Sequence, residues 1–511
     1  MALFDELARV VGDNYCSDKD YINVAYARSL DPVLEEIIPA YVVAPGSTEE
    51  VAEVVKIAYE HGTPLVPRGG GCCLMGGSKP VMDDTILLDM VRMDKILDID
   101  EENHAVTLQL GLSWSRLNAA LFDKGYYTGN MGPGSGLNAA VGGGLSHHSG
   151  GGGGCGKYGE CTDNCLGLEV VLGTGEVITL GSGENRWVPK PFTRGGLGPD
   201  LMGVFLGDNG TMGVKTTATL KIFPKPPFFS GKTFLIEGDA YETYCKGRDA
   251  IEEMIRKGWT KHLGIYDVFF TPPASVSGIN MTKSIKSWGD IHGAVLFYVS
   301  EAFDEQINER NAEILEGIVS KYATRELGPS AAEGNITDWF YGEQGHWQAY
   351  HPLFSLLGSD QFAATTEVKV PIATFPEALR LIDEWEEEHG DELAETNAES
   401  GVSHVVMLEH GACYIGSGLT ASTEEDYRDD IIKLWKDQFE ALLKHGSVLY
   451  MCGQIGSQVI VDSRMYSDTY YNFFKQVKNV CDPKGIISPG KFRFKLGGQK
   501  IGEQEVGEED G

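Results

Sequence analysis

The sequence predicts a mixed α+β protein of more than one domain. Three observations carry that reading. Helix-period and strand-period segments alternate, three glycine clusters punctuate the first half, and a proline-rich break after Phe223 opens a stretch of different composition. At 511 residues the chain also exceeds what one hydrophobic core fills, since domains usually run to roughly 100 to 200 residues.

Pro45 to Gly62 (PGSTEEVAEVVKIAYEHG) has a Ser/Thr cap, early glutamates, apolar residues at helical spacing and a closing glycine, so it reads as a capped amphipathic helix. TPLVPRGGGCC then joins a short apolar strand to a glycine loop, and TILLDM and AVTLQLG read as further strands between charged turns. From Leu168 to Leu180, LEVVLGTGEVITL is two β-rich runs about a Gly-Thr-Gly turn, the pattern of a hairpin. PKPP after Phe223 reads as a linker. Beyond it, EEDYRDDIIKLWKDQFEALLKHG is helical, while ATTEVKVPI and SHVVMLEHGACYI are strand-like. The tail GQKIGEQEVGEEDG is polar, acidic and glycine-rich, the composition of a disordered end.

Composition excludes several classes of function. A formal charge of -32, from 42 basic and 74 acidic residues, repels phosphodiester backbones, and no Lys/Arg-rich run offers a local exception. No stretch approaches the ~20 apolar residues of a membrane span, and the N-terminus has neither the basic start nor the apolar core of a secretory signal, so a cytoplasmic protein is expected. Ten cysteines, several of them adjacent or clustered, do not form the framework of a small secreted domain and read as reduced thiols. Cys155, Cys161 and Cys165 match neither zinc-ribbon nor ferredoxin spacing, and no metal site is expected.

The glycine clusters are RGGGCCLMGG from Arg68, GPGSGLNAAVGGGLSHHSGGGGGCG from Gly132, and GDNGTMGV from Gly207. Glycine lets backbone amides approach a phosphate closely, so clustered amides can form an anion-binding nest without a basic side chain. None of the clusters is a G-x-G-x-x-G after a first strand, which argues against a Rossmann site.

The ordered series PRGGGCCLMGG, ILLDMVRMDKILDID, PGSGLNAAVGGG, KYGECTDNCLGLEVVLGTGEV and LMGVFLGDNGTMGV resembles the FAD-binding domain of the p-cresol methylhydroxylase and vanillyl-alcohol oxidase superfamily. Within it, the likeness is greatest to the D-lactate dehydrogenase and glycolate oxidase FAD-subunit group. It covers Glu36 to Pro227, continues only loosely through the middle, and resumes at NVCDPKGIISPGKF. The resemblance implies a two-lobed FAD-binding domain over residues 1–227, an α+β substrate or cap domain over 228–450, a return to the FAD domain over 451–495 and a disordered acidic tail over 496–511.

By the same resemblance, Pro67, Arg68, Gly69, Gly70, Gly71, Cys72, Cys73 and Gly76 would form the pyrophosphate loop. Pro133, Gly134, Ser135, Gly142, Gly143, Ser146 and His147 would run beneath the flavin ring, with Val214 and Lys491 closing the pocket. Relatives with a tethered flavin often carry histidine where Cys72 stands, so non-covalent FAD is expected, a cysteinyl link at Cys72 or Cys73 being the alternative.

Flavin dehydrogenation needs a base for the substrate hydroxyl and groups that steady developing charge. D-Lactate-type relatives use two histidines spaced His-x6-His and a later Glu-His pair around a divalent metal. Here LEHGACYIGSG offers Glu409 and His410, but Ser417 stands at the second histidine's place, and Cys452 and Gly453 replace the later pair. His410 is therefore the expected metal-free base or substrate anchor, with Glu409 beside it. The aromatic run holding Trp339, Tyr341, His346, Trp347, Tyr350 and His351, together with Tyr450, Tyr466 and Tyr470, would suit a phenol, with Arg464 as the arginine steadying a phenolate. His351 is a further candidate base, whereas His404 reads as a strand histidine with a structural role. The expected activity is an FAD-dependent oxidoreductase taking a hydride from a small hydroxylated molecule, foremost a 2-hydroxy acid, and passing electrons to a partner protein or small acceptor. The alternatives are a phenolic or benzylic alcohol oxidase and a non-catalytic flavin subunit. An oligomer is compatible with all three.

Overall fold

The computed structural model describes residues 2–27, 37–150, 153–273, 291–327, 361–408, 411–422, 425–450 and 452–501. The first lobe comprises α1 (Leu3–Val11), β1 (Cys16–Ser17), β2 (Tyr41–Val43), α2 (Thr48–His61), β3 (Leu65–Arg68) and β4 (Ile86–Asp89). Ser47 caps α2 by accepting the Glu50 N–H at 3.3 Å, and Gly62 closes it in the left-handed conformation. Strands β2 and β3 flank β4 in parallel, and β1 runs antiparallel at the edge. The apolar face of α2 (Val51, Val54, Val55, Ala58) packs on Leu65, Ile86 and Leu88, joined by Ile486 and Ile487 from the far end of the chain. That return explains why β3 is so precisely held just before the first glycine cluster.

The second lobe is an antiparallel sheet in the order β5 (Ile96–Asp100), β6 (Ala105–Gln109), β9 (Val214–Lys221), β7 (Cys165–Val171), β8 (Val177–Gly181). Between β6 and β7 lie α3 (Trp114–Phe122) and the short glycine-rich α4 (Val141–Ser146). Strands β7 and β8 form the hairpin that the Gly-Thr-Gly turn predicts, closed by Leu172 N–H donating to the Glu176 carbonyl at 2.8 Å.

Immediately after Pro226 and Pro227 a nine-stranded sheet begins. In chain order it contains β10 (Phe228–Ile236), β11 (Ile265–Thr271), β12 (Ala294–Ala302), β13 (Arg325–Leu327), β14 (Gln361–Thr365), β15 (Val368–Pro371), β16 (Glu399–Met407), β17 (Ala412–Ser422) and β18 (Val448–Leu449). Helices α5 (Ala240–His262), α6 (Glu305–Val319), α7 (Phe375–Glu388) and α8 (Arg428–Lys444) are interspersed. Because side chains alternate along a strand, the sheet has two distinct faces. Val368, Val370, Cys413 and Ile415 join Phe375, Ile382, Trp435 and Phe439 of the helices in one core. Tyr414, Val406, Phe269 and Phe297 join the second lobe's Leu108, Trp114 and Leu145 in the other. The sheet therefore turns one face to its helices and one to the glycine loops.

Two strand-like segments differ from the sequence expectation. SHVVMLEHGACYI is a hairpin rather than one strand, with β16 and β17 antiparallel and Met407 beside Cys413. Its two apolar runs, VVML and ACYI, are separated by Glu409, His410 and Gly411, and that break in the pattern is the sequence's mark of two strands. ATTEVKVPI is interrupted at Thr366 and Glu367, with β14 and β15 both pairing along β17. Finally α9 (Gly453–Asp462) and α10 (Asp468–Cys481) lead the chain back to the first lobes. There the buried Lys478 donates to Asp482 at 2.7 Å and to the carbonyls of Thr211 and Ile487 at 2.6 and 2.9 Å. Among the described residues, no helix is long and apolar enough to cross a membrane.

Candidate functional site

The three glycine clusters, spread from Arg68 to Val214, converge on one cleft of about 930 Å³, counted to its open mouth. It is lined by Pro67, Arg68, Gly69, Gly70, Gly71, Cys72 and Cys73 from the loop after β3. Pro133, Ser135, Gly142, Gly143, Ser146 and His147 contribute from the second cluster, and Val214 and Lys491 from β9 and the chain's return. These are the residues the sequence assigned to a cofactor. Gly76 and Gly134 fall outside the lining; Gly77, Ser78, Ser149, Asn209, Gly210 and Lys215 belong to it and were not singled out. The GDNGTMGV motif contains two of these, Asn209 and Gly210, and Lys215 follows it directly.

The walls are chemically distinct. Among the described residues, the amides of Gly69, Gly70, Gly71 and Cys72 donate to no protein carbonyl, leaving a run of N–H groups for an anion. Opposite them, buried Lys491 donates from Nζ to the carbonyls of Gly77 and Asn209, both at 2.6 Å. Burial pushes its pKa down to about 8, partly countered by Cys73 and Asp208. Asp208 gathers the third cluster, accepting the amides of Gly210 and Met212 at 3.0 Å and the ammonium of Lys215 at 2.6 Å. Burial, with Lys491 and Lys215 nearby, pushes His147 down to about 3, so its imidazole is neutral.

Glycine itself reports on the space. A Cβ at Gly70 would lie 1.9 Å from the Asn138 carbonyl, so packing of the first cluster on the second forbids a side chain there. A Cβ at Gly143 would meet no described atom within 4 Å, and its backbone is not left-handed. The protein's own packing does not demand glycine at 143. A group occupying the cleft would. Unpartnered amides, a buried lysine and a glycine facing open space together fit a ligand with a pyrophosphate and a flat ring system.

Residues 39–181 match the family model described as FAD binding domain, and residues 273–492 that described as FAD linked oxidases, C-terminal domain. The chain belongs to the FAD-linked oxidases. It is similar to the glycolate oxidase subunit GlcD of Bacillus subtilis (strain 168), with 34% identity over 43% of this chain and 45% of GlcD. The match thus spans less than half the length of that relative. A D-lactate dehydrogenase of Archaeoglobus fulgidus is 26% identical over 89% of this chain and 91% of its own. In fold the chain resembles p-cresol methylhydroxylase with substrate bound, with a TM-score of 0.75 and 17% identity over 96% of each chain.

In this FAD-linked oxidase the flavin-lobe face of the large sheet forms an aromatic wall. Tyr414 stands with its ring 4.3 Å from that of Tyr450 and 5.4 Å from that of His404, and Phe269 lies 6.0 Å from His404. Lys369, across from Tyr414 in the register, pairs with Glu160 at 2.5 Å. Among the described residues no group of three or more His, Cys, Asp or Glu side chains is arranged to hold a metal. Cys155, Cys161 and Cys165 are buried thiols that donate to the carbonyls of Gly150, Gly144 and Gly167.

The catalytic candidates separate. Glu409, His410 and His351 lie outside the described residues, as does the run from Trp339 to Tyr350. Ser417 sits on the helix-covered side of β17, its hydroxyl 3.0 Å from that of Thr366, which donates in turn to Gln438 of α8. Arg464 is exposed at the end of α9 with φ 55, apart from the cleft lining. Its left-handed backbone ends the helix, which places it in a solvent-facing turn.

Proposed function

We propose that this FAD-linked oxidase dehydrogenates a small hydroxylated organic substrate, foremost a 2-hydroxy acid, in the cytoplasm, and hands the electrons to a partner protein or small acceptor. The observation that carries the reading is the cleft in which Pro67 to Cys73, His147 and Lys491 meet. When bound there, FAD supplies a two-electron acceptor for substrate hydride. The amides of Gly69 to Cys72 would hold its pyrophosphate, Gly142 and Gly143 would leave room for the ring system, and Lys491 would supply positive charge in the same cleft. Neutral His147 would line the same pocket without adding charge. His410 and Glu409 are assigned to anchoring the substrate, as the resemblance implies. The hydroxy-acid class is supported by the names of the two sequence relatives, a glycolate oxidase subunit and a D-lactate dehydrogenase.

A second substrate class, phenolic or benzylic alcohols, is favoured by the wall of Tyr414, Tyr450, Phe269 and His404, because flat aromatic faces suit an aromatic ring. Anaerobic mixing with glycolate, D-lactate and 4-alkylphenols separates the classes: only a true substrate bleaches the flavin. If none does, the chain relays electrons rather than collecting them.

A further inference from the structure

We infer that Glu367 is the catalytic base of this oxidase, taking the proton from the substrate hydroxyl as the neighbouring C–H gives up its hydride. The inference rests on the reading above that FAD fills the cleft and substrate lies between it and the large sheet. Four observations converge on this one side chain. Glu367 occupies the interruption between β14 and β15, where ladder pairing is broken. It shares a strand face with Lys369, whose cross-strand neighbour Tyr414 belongs to the core turned toward the flavin lobe. One carboxyl oxygen is bonded by the Tyr414 hydroxyl, while the other, Oε2, is buried and has no hydrogen-bond partner among the described residues. Lastly, the Glu367 carbonyl accepts the Tyr450 N–H at 3.1 Å, and the Tyr450 hydroxyl accepts the Gly150 N–H at 2.8 Å, one residue beyond cleft-lining Ser149.

An orphaned buried carboxyl oxygen costs about 1 to 3 kcal/mol, which a purely structural glutamate has no reason to bear. A substrate hydroxyl supplies the missing donor. Burial pushes Glu367 up to about 7, moderated by the bond from Tyr414, so near neutral pH it both accepts and releases a proton. The other groups around it are committed or neutral. Lys369 on its own strand is paired with Glu160, and Tyr414 of β17 is held well above the usual tyrosine range by burial. Tyr450 is tied to Gly150, and His404 of β16 meets the Tyr414 ring edge-on. From the flavin lobe, His148 is pushed down to about 4 by burial, and Cys155 is a protonated buried thiol. The step balances: the substrate's C–H hydride goes to FAD, its O–H proton to Glu367, and a carbonyl remains. Glu367 then returns the proton to solvent.

The test uses the flavin-loaded protein and its Glu367→Gln and Tyr414→Phe variants. In difference infrared spectra across pH, the native protein is expected to show a carboxylic acid band titrating near 7 that Glu367→Gln lacks. Tyr414→Phe removes the bond that steadies the carboxylate, so the midpoint should move upward, together with the pH profile of flavin reduction. Glu367→Gln should slow reduction by about 100 to 10,000-fold with FAD content unchanged. Reduction of Glu367→Gln at the native rate overturns the proposal. So does an unmoved midpoint in Tyr414→Phe, which decides the matter should Glu367→Gln fold poorly. If no substrate reduces even the native protein, the broader reading fails, and the infrared titration alone still decides whether Glu367 is a poised carboxyl.

Discussion

The Tyr450 hydroxyl accepts the backbone N–H of Gly150 at 2.8 Å, across 300 residues of chain. The bond fastens the end of the nine-stranded sheet to the loop beside the cleft. Tyr450→Phe leaves that buried N–H unsatisfied, a loss of about 1 to 3 kcal/mol. The variant is expected to unfold at lower temperature and to bind FAD more weakly, checked by thermal melts and flavin fluorescence titration. Native behaviour in both would show that the bond does not brace the cleft.

Gly70 and Gly143 are both required, for different reasons. Gly143→Val places its side chain in open cleft space, so the protein should fold with native circular dichroism and carry little flavin. Gly70→Val collides with the Asn138 carbonyl and should lower stability as well as occupancy. Full FAD content in Gly143→Val would remove that loop from the flavin site.

The cofactor cleft was legible because its contacts come from backbone. Of the 17 residues that the resemblance assigned to the cofactor, 15 line one cleft, Gly76 and Gly134 not being part of its lining. Asn209 and Lys215 escaped notice because their places depend on Asp208 curling the third cluster through its bonds to Gly210, Met212 and Lys215, which glycine spacing alone does not encode. The cap was read less well. Glu367 sits between two β-branched stretches and looks like a surface position of a single strand, and only the fold reveals that it faces the flavin lobe. Ser417 was matched to a ligand position by spacing along one strand, yet packing turns it toward Gln438 on the helix side.

Lys491 makes the site sensitive to pH. Its folded-state value, about 8, lies below the ordinary 10.5, so between these values the unfolded chain binds more protons and the flavin-free protein gains stability as pH rises. Affinity for the anionic cofactor runs the other way, falling as pH rises through about 8 and the ammonium is lost. Isothermal titration from pH 6 to 10 (about the window set by this lysine) should show that fall in the native protein and a flat, weaker profile in Lys491→Met. Identical profiles would detach Lys491 from the cofactor.

The flavin should be held without a covalent bond. Burial pushes the Cys72 thiol up to about 11, and it donates to the Gly70 carbonyl, so the nucleophilic thiolate is scarce near neutral pH. Acid precipitation is expected to leave the yellow colour in the supernatant. Colour retained in the pellet would reveal a tether at Cys72 or Cys73.

The most direct test is anaerobic stopped-flow mixing of the purified, FAD-loaded protein with D-lactate, glycolate and 4-alkylphenols, following flavin absorbance near 450 nm (roughly, a general flavin property). The account predicts rapid bleaching by a 2-hydroxy acid, faster as pH rises through about 7, where Glu367 loses its proton. A flavin that reduces with dithionite but stays oxidised with every hydroxylated substrate would contradict it.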